Sequence, residues 1–234
     1  MVPFINTTGR HRAAANGDRS LLRRQLRKQP GQRDTQDPGG RTPLHLACAS
    51  GHIDVVAFLI DSKCQINLCD SDMRTPLMKA VQCRQELCAI YLVECGVDPN
   101  VAEARGNMAL HLAASTASRS LAKHLLGHGA RLEVPNQDGS TPLMAAVVEN
   151  DCDMVEFLLK SGASVHATDK AGRTPLMLAV SNRKLDVTYL LLAYGSNIYH
   201  QDDSGWSARD YATLSDDPIL LRYIADNSKW EKGG

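Results

Sequence analysis

Arginine side chains at matching positions are the residues of this sequence best suited to recognise another molecule. Arg41, Arg74 and Arg173 each stand directly before the same position of a recurring phrase, and Arg105 and Lys170 lie close by. A guanidinium group can hold a carboxylate through two parallel hydrogen bonds. The spacing therefore predicts a basic row that grips an acidic segment of a partner.

Acidic residues near these arginines allow a second interpretation. Asp70, Asp169 and Asp202 recur close to them and could pair with them across neighbouring turns, because exposed charges often pair locally with little effect on binding. Trp206 is the other candidate contact, since Trp is frequent among residues that dominate binding energy. It could equally pack over the last helices of the chain. The sequence leaves both choices open.

The His and Cys residues do not form a pattern typical of catalysis or metal binding. His45 and His111 lie 66 residues apart, so we expect structural roles for both rather than a shared metal. Cys152 stands between two aspartates, which raise the pKa of a thiol instead of activating it. The sequence predicts no catalytic residue, no metal site and no cofactor, and therefore a protein that is not an enzyme.

A fixed period positions all of these side chains. The residues that open the recurring phrase lie 33 positions apart: Thr42, Thr75, Met108, Thr141, Thr174 and Ser207. Such a period is typical of one supersecondary unit stacked on copies of itself. Within a unit, the Thr suits a helix N-cap and the following Pro suits the first helical turn. A second helix is predicted from Asp54 to Ile60.

Columns of equivalent residues predict both the core and the weak points of the array. The core columns are Leu44, Leu77, Leu110, Leu143 and Leu176; Leu59, Leu92, Leu125, Leu158 and Leu191 with Ile224; and Ala47, Ala80, Ala113, Ala146, Ala179 and Ala212. Met73 occupies a glycine column where we expect a positive φ, and hence strain. The third repeat has Ala109 in place of Pro, so we expect the middle of the array to be its least stable segment.

The phrase Gly40-Arg41-Thr42-Pro43-Leu44-His45-Leu46-Ala47, with Gly51-His52 and Asp54-Val55-Val56 after it, resembles the ankyrin repeat. In its detailed residue pattern, this phrase is similar to the ankyrin regions of the POTE-like group of ankyrin-repeat-domain proteins. The resemblance implies a mainly α fold, an ankyrin-repeat solenoid of helix-turn-helix units with β-hairpin fingers, five full repeats and terminal caps. It also implies that His45 and His111 hydrogen-bond to the backbone of the adjoining turn.

By the same resemblance, the partners are proteins, bound on the fingers and on the concave helix face. The predicted partner-binding residues are those that neither the core nor the turn columns explain: Arg41, Asp72, Arg74, Gln82, Arg105, Asn107, Gln137, Glu149, Lys170, Arg173, Asn182 and Trp206. Asn67 and Asn100 occupy a finger-base column in which Asn residues of the family can be hydroxylated, or can serve in hydrogen bonding alone.

Charge divides the chain into segments of different kinds. Residues 1–41 carry eight Arg and one Lys against three Asp, a net charge of +6 in a chain that is neutral overall. A terminal repeat needs a polar outer face. We therefore predict a loose tail at 1–10, a basic N-terminal capping repeat at 11–40, the array with its C-terminal cap at 41–226, and a loose tail at 227–234.

The basic stretch from Arg19 to Lys28 admits an alternative function, the binding of nucleic acid or of an acidic surface. Leu21, Leu22 and Leu26 recur at helical spacing, which favours a cap helix with a solvated charged face. No aromatic residue is interleaved to stack on a base. We therefore expect protein partners rather than nucleic acid.

Composition narrows the cellular setting. The seven cysteines lack Cys-x-x-Cys spacing, so neither a disulfide framework nor a zinc site is indicated. No apolar run has the length of a signal peptide or of a membrane span. We expect a monomeric intracellular protein, located in the cytoplasm, the nucleus or both.

Overall fold

The computed structural model describes residues 9–215 and 218–227, and these residues are mainly helical. A short 3-10 helix at Pro30–Gln32 follows the second α-helix. The α-helices are α1 (Gly9–Ala15), α2 (Arg19–Lys28), α3 (Pro43–Ser50), α4 (Ile53–Asp61), α5 (Pro76–Gln82), α6 (Glu86–Glu94), α7 (Ala109–Ser115), α8 (Arg119–Gly127), α9 (Pro142–Glu149), α10 (Cys152–Lys160), α11 (Pro175–Ser181), α12 (Leu185–Ala193), α13 (Ala208–Ser215) and α14 (Pro218–Asn227).

Threonine hydroxyls begin the helices where the sequence predicted N-caps. In Thr42, Thr75, Thr141 and Thr174, Oγ1 accepts a hydrogen bond from the backbone N–H three residues later, at 3.3 to 3.4 Å. The proline that follows has no N–H to leave unpaired. Gly51 ends α3 with a φ of +78°, the left-handed conformation that glycine adopts without strain.

The chain folds into two compact units. Among the described residues, the first unit comprises those up to Thr116 together with Ser120–Ala130, and the second comprises Ala117–Arg119 and those from Arg131 onward. In the first unit, α1, α3, α5 and α7 pack against one another in order, with α2, α4 and α6 in a second layer. In the second unit, α9, α11 and α13 form one layer, and α10 and α12 pack beside it.

The predicted core columns are confirmed. Every alanine of the Ala47 column has an exposed fraction of 0%, and every leucine of the Leu44 and Leu59 columns is at most 2% exposed. Alanine leaves neighbouring first helices room to approach, while the leucines fill the space between first and second helices. The single second helix whose bounds were predicted, Asp54 to Ile60, is α4, which extends one residue further at each end.

The fingers, defined as the loops directly before α3, α5, α7, α9, α11 and α13, differ from the predicted β-hairpins. The residues that the structure describes contain no β-strand. In the second finger, Asp70 N–H donates to Arg74 O at 2.9 Å and Met73 N–H donates to Asp70 O at 3.0 Å. The chain enters α5 directly afterwards, so there is no length for a strand ladder, and each finger is a tight turn.

The predicted tails fall mainly outside the described residues. Residues 1–8 and 228–234 are not described, whereas Gly9 and Arg10 begin α1, and Asn227 ends α14. The predicted capping repeat at 11–40 contains most of α1 and all of α2. Leu22 and Leu26 of α2 are buried, as its helical spacing predicted.

Candidate functional site

Five of the six fingers, all but the one before α7, fold around one of their own polar side chains. In the second finger, Oδ1 of Asp70 accepts hydrogen bonds from the backbone N–H of Asp72 at 3.0 Å and of Arg74 at 2.9 Å. Such a side chain imitates backbone and closes the turn. Equivalent pairs of bonds are made by Asp37, Asn136, Asp169 and Asp202.

Backbone hydrogen bonds also join each finger to the next within a unit. Ser71 N–H donates to Gly39 O at 3.0 Å, and Ala104 N–H donates to Asp72 O at 3.0 Å. Lys170 and Asp203 in the second unit donate to Asp138 O and Ala171 O, also at 3.0 Å. The fingers of each unit therefore form a continuous hydrogen-bonded frame.

Two of the three predicted arginines pair within their own fingers. The Arg41 guanidinium donates to Asp37 Oδ2 from Nε at 2.9 Å and from Nη2 at 2.7 Å. Arg173 binds Asp169 Oδ2 in the same way, at 2.8 and 2.7 Å. Both arginines are thus paired with carboxylates of their own fingers, whereas the sequence suggested pairing across neighbouring fingers.

Arg74 instead joins two fingers. Its Nε donates to Glu103 Oε2 at 2.7 Å and its Nη1 to Asp72 Oδ2 at 3.2 Å. Asp70, the carboxylate in the same finger as Arg74, forms an ion pair with Lys79 instead, whose Nζ lies 2.8 Å from Asp70 Oδ2. Burial alone would raise the pKa of Glu103, but hydrogen bonds, chiefly from the Arg74 side chain, lower it. Glu103 therefore stays ionised and holds Arg74 in place.

Trp206 packs against α13 and is also partly exposed. Its ring centroid lies 5.5 Å from that of Tyr211 in α13, yet 39% of the residue is exposed. The Tyr211 hydroxyl donates to Asp202 Oδ2 at 2.6 Å, and burial together with this bond raises the pKa of Tyr211 to about 12. A supported indole edge thus stands at the surface of the last described finger.

None of the predicted partner-binding residues is buried. Glu149 ends α9, Gln82 ends α5, and Asn182 caps α11, where its Nδ2 donates to Leu178 O at 2.8 Å. The first unit carries Arg41, Asp72, Arg74, Gln82, Arg105 and Asn107, and the second carries Gln137, Glu149, Lys170, Arg173, Asn182 and Trp206.

Buried histidines fasten the fingers to the helices, as predicted for His45. Its Nδ1 accepts from Thr42 N–H at 3.0 Å, and its Nε2 lies 3.0 Å from Arg74 O of the next finger. His11 makes the same contact with Arg41 O at 2.9 Å, a role that its own surroundings in the sequence did not indicate. Burial lowers the pKa of both imidazoles, which favours the neutral form.

The finger-base asparagines hydrogen-bond to backbone within the first unit. Asn67 Oδ1 accepts from Asp98 N–H at 3.2 Å, and Asn100 Nδ2 donates to Gly129 O at 2.9 Å. Each bond joins a finger base to the chain about one repeat later. These asparagines therefore stabilise the stacking of neighbouring repeats within the first unit.

Cys48, Cys64 and Cys152 do not have the environment of reactive thiols. Burial raises the pKa of Cys48 well above its usual value and that of Cys64 to about 12. Burial and the carboxylates of Asp186, Asp151 and Asp153 raise the pKa of Cys152, in the direction predicted from its neighbours. In the described part of the chain, no group of three His, Cys, Asp or Glu side chains could hold a metal ion. No helix there is long and apolar enough to cross a membrane.

Family models match most of this chain. One described as "Ankyrin repeats (3 copies)" matches residues 11–103 and 95–169, and another described as "Ankyrin repeats (many copies)" matches residues 158–212. Together these matches extend from residue 11, where the predicted capping repeat begins, to residue 212 in α13.

Curated relatives share shorter segments. Ankyrin repeat domain-containing protein 7 from Homo sapiens is 51% identical over 55 residues, which cover 24% of this chain and 22% of that protein. Neurogenic locus notch homolog protein 1 from Danio rerio is 34% identical over 118 residues, which cover 50% of this chain and 5% of that protein. The chain thus spans only a small part of the length of either relative.

Solved structures are similar over nearly the whole chain. The ankyrin repeat domain of Bcl-3, described as a unique member of the IkappaB protein family, superposes with a TM-score of 0.83 at 23% identity, covering 94% of this chain and 99% of that one. The ankyrin repeat domain of human ASB11 gives a TM-score of 0.82 at 26% identity, with coverage of 94% and 98%. These likenesses show the fold.

Proposed function

Because this chain belongs to the ankyrin-repeat family, we propose that it is a non-enzymatic protein-binding module or adaptor. Its partners are proteins, which it holds on the fingers and on the adjoining ends of the first helices. Proteins of this fold are typically interaction modules, whose stacked units offer an extended binding surface rather than a deep cavity.

The hydrogen-bonded finger frame is the observation that carries this proposal. Fingers joined backbone to backbone at 3.0 Å lose little conformational entropy when a partner binds, and such preorganisation favours affinity. The frame also leaves side chains directed outward, among them Asp72, whose side chain is 60% exposed, and Trp206. A rigid support with exposed polar and aromatic side chains suits protein recognition.

The ion pairs change how the predicted arginines would act. Arg41 and Arg173 are held by carboxylates of their own fingers, so they present an oriented guanidinium edge rather than an unpaired charge. Arg74 holds two fingers together, and its replacement would alter the frame as well as any contact. Trp206 therefore remains the better single anchor, since it is supported from one side and exposed on the other.

Site-specific photo-crosslinking in cultured cells tests this proposal. A benzophenone amino acid replaces Asp72, Trp206 or, as the control, Leu87, which lies on α6 and is 75% exposed. We expect protein adducts from positions 72 and 206 at higher yield than from position 87. Equal yields from all three positions would argue against the finger surface, and the absence of any adduct would argue against a protein-binding module.

A further inference from the structure

A small basic groove lies between the predicted N-terminal capping repeat and the first repeat, away from the fingers. It is formed by α2, the short helix after it and the C-terminal part of α4, and it encloses about 310 Å³. Its described lining residues are Arg23, Leu26, Arg27, Pro30, Arg33, Phe58 and Ser62. None of them belongs to the predicted partner-binding residues.

The floor of this groove is apolar. Leu26 is 7% exposed, while Phe58 is only half-buried and so offers carbon surface to a ligand. The guanidinium of Arg19 lies over the Phe58 ring, 5.7 Å from its centroid. An apolar side chain of a ligand placed on this floor would remove hydrocarbon surface of both the ligand and the protein from water.

Positive charge surrounds that floor. Arg23 and Arg27 lie one helical turn apart on α2 and are exposed, so their guanidinium groups stand on the same side of the helix. Arg33 is half-buried and anchored, because its Nε donates to Pro30 O at 3.2 Å and its Nη1 donates to Ser62 O. None of the described lining residues is acidic, and the ion pairs found among the described residues include none of these three arginines.

We propose that this groove binds a short acidic segment of a partner protein, one in which an apolar side chain is flanked by Asp or Glu. The apolar side chain would rest on Leu26 and Phe58. The flanking carboxylates would pair with Arg23 and Arg27 on one side and with Arg33 on the other. Since Arg33 is already held by two backbone carbonyls, it loses little freedom on pairing. This second surface lies apart from the fingers and is independent of them.

The chemistry of the groove favours a peptide over other anionic ligands. Phe58 is its one aromatic residue among those described, and Arg19 already covers a face of that ring, which leaves no platform for successive bases. Leu22 of α2 is fully buried and Leu26 is only 7% exposed, at the floor of the groove, so this helix has little apolar surface to insert into a lipid surface. A cavity of about 310 Å³ suits one or two side chains.

A charge-matched pair of variants of the full chain tests the proposal. In the first, Arg23→Glu and Arg27→Glu reverse charges that line the groove; in the second, Arg24→Glu and Lys28→Glu make the same change at exposed positions of α2 outside it. A phage-displayed random peptide library is selected on the unaltered protein, and the enriched peptides are measured against all three proteins by fluorescence anisotropy. Circular dichroism melting of each variant checks that α2 remains folded.

We expect enriched peptides with an apolar residue between acidic residues, and binding about tenfold weaker or worse in the groove variant than in the matched variant. Consensus peptides without acidic residues, equal weakening in both variants, or no enrichment would overturn the proposal. So would displacement of the peptide from the groove by a single-stranded oligonucleotide or by phosphatidylserine vesicles at lower concentration than the unlabelled peptide. The photo-crosslinking experiment uses residues of the fingers and of α6, none of which lines the groove. The proposed finger surface and the proposed groove can therefore each be ruled out without the other.

Discussion

The backbone at Met73 shows how a single side chain can strain a repeat without changing its form. Met73 has a φ of +60°, as its glycine column predicted, and it is 51% exposed. At the equivalent Gly139, an added Cβ would lie 2.5 Å from Lys170 N of the next finger, closer than real atoms approach. A left-handed conformation costs a residue with a Cβ about 1 to 2 kcal/mol. The second finger therefore carries strain that the finger of Gly139 avoids.

Replacing Met73 by glycine should stabilise the protein. We expect Met73→Gly to raise the free energy of unfolding by about 1 kcal/mol, because the left-handed penalty exceeds the added entropy of glycine in the unfolded chain. Urea denaturation followed by circular dichroism measures this change. Met73→Ala is the control, since it removes the long side chain but keeps the Cβ. An equal gain from alanine would mean that the backbone at this position is not strained.

At the scale of elements, the third repeat departs most from the others. Met108 stands at the N-cap of α7, where Thr42, Thr75, Thr141 and Thr174 use a hydroxyl. His111 still accepts from Met108 N–H at 3.2 Å, but a thioether is a weak acceptor for the backbone N–H that the hydroxyl would satisfy. The expectation that this repeat is the least stable of the array stays a prediction.

Restoring the hydroxyl should stabilise α7. We expect Met108→Thr to raise the free energy of unfolding by about 1 kcal/mol, the usual contribution of an N-cap hydroxyl. In the unaltered protein, hydrogen exchange should be faster in α7 than in α5, and the substitution should reduce that difference. Met108→Val provides the control, because valine has the shape of threonine without its oxygen. Protection of α7 equal to that of α5 before any substitution would contradict the weak third repeat.

At the scale of the whole molecule, buried titratable groups make stability depend on pH. Burial is the main cause that lowers the pKa of His11 and His45 below 6.5. Burial would raise the pKa of Asp70, but hydrogen bonds from Lys79 and from the backbone lower it below 3.8. In both cases the unfolded chain binds protons at a pH where the folded chain does not. Stability must therefore fall on acidification.

Urea denaturation at a series of pH values should show this loss in two ranges. We expect the free energy of unfolding to fall first below about pH 6.5, where unfolded histidines gain protons, and again below about pH 4, where unfolded carboxylates do so. His45→Gln should make the loss in the first range smaller without abolishing it, because His11 remains; His166→Gln, at an exposed position, is the control variant. A free energy of unfolding that increases as the pH falls from about 6.5 to about 5 would contradict the burial of neutral imidazoles.

Helix positions and core columns could be predicted because they depend on neighbours in sequence and on period. Thr42 caps the helix that begins one residue later, and an alanine equivalent to Ala47 recurs in each repeat where neighbouring helices must approach closely. The fingers were predicted less well, since turns and short hairpins share the same residues and differ only in how far the ladder extends. The narrower likeness to the POTE-like group, the domain bounds and the partner-binding residues stay predictions.

Period and local chemistry in the sequence determined the ankyrin fold, its threonine helix N-caps and its buried columns, because each of these follows from hydrogen bonds or burial repeated from one repeat to the next. Only the tertiary structure decided which carboxylate each arginine pairs with. Because Lys79 forms an ion pair with Asp70, Arg74 pairs with Glu103 of the next finger instead. It also brought Arg33 to the Ser62 carbonyl and so formed the basic groove. Such contacts depend on distances between residues remote in sequence, which periodicity does not specify.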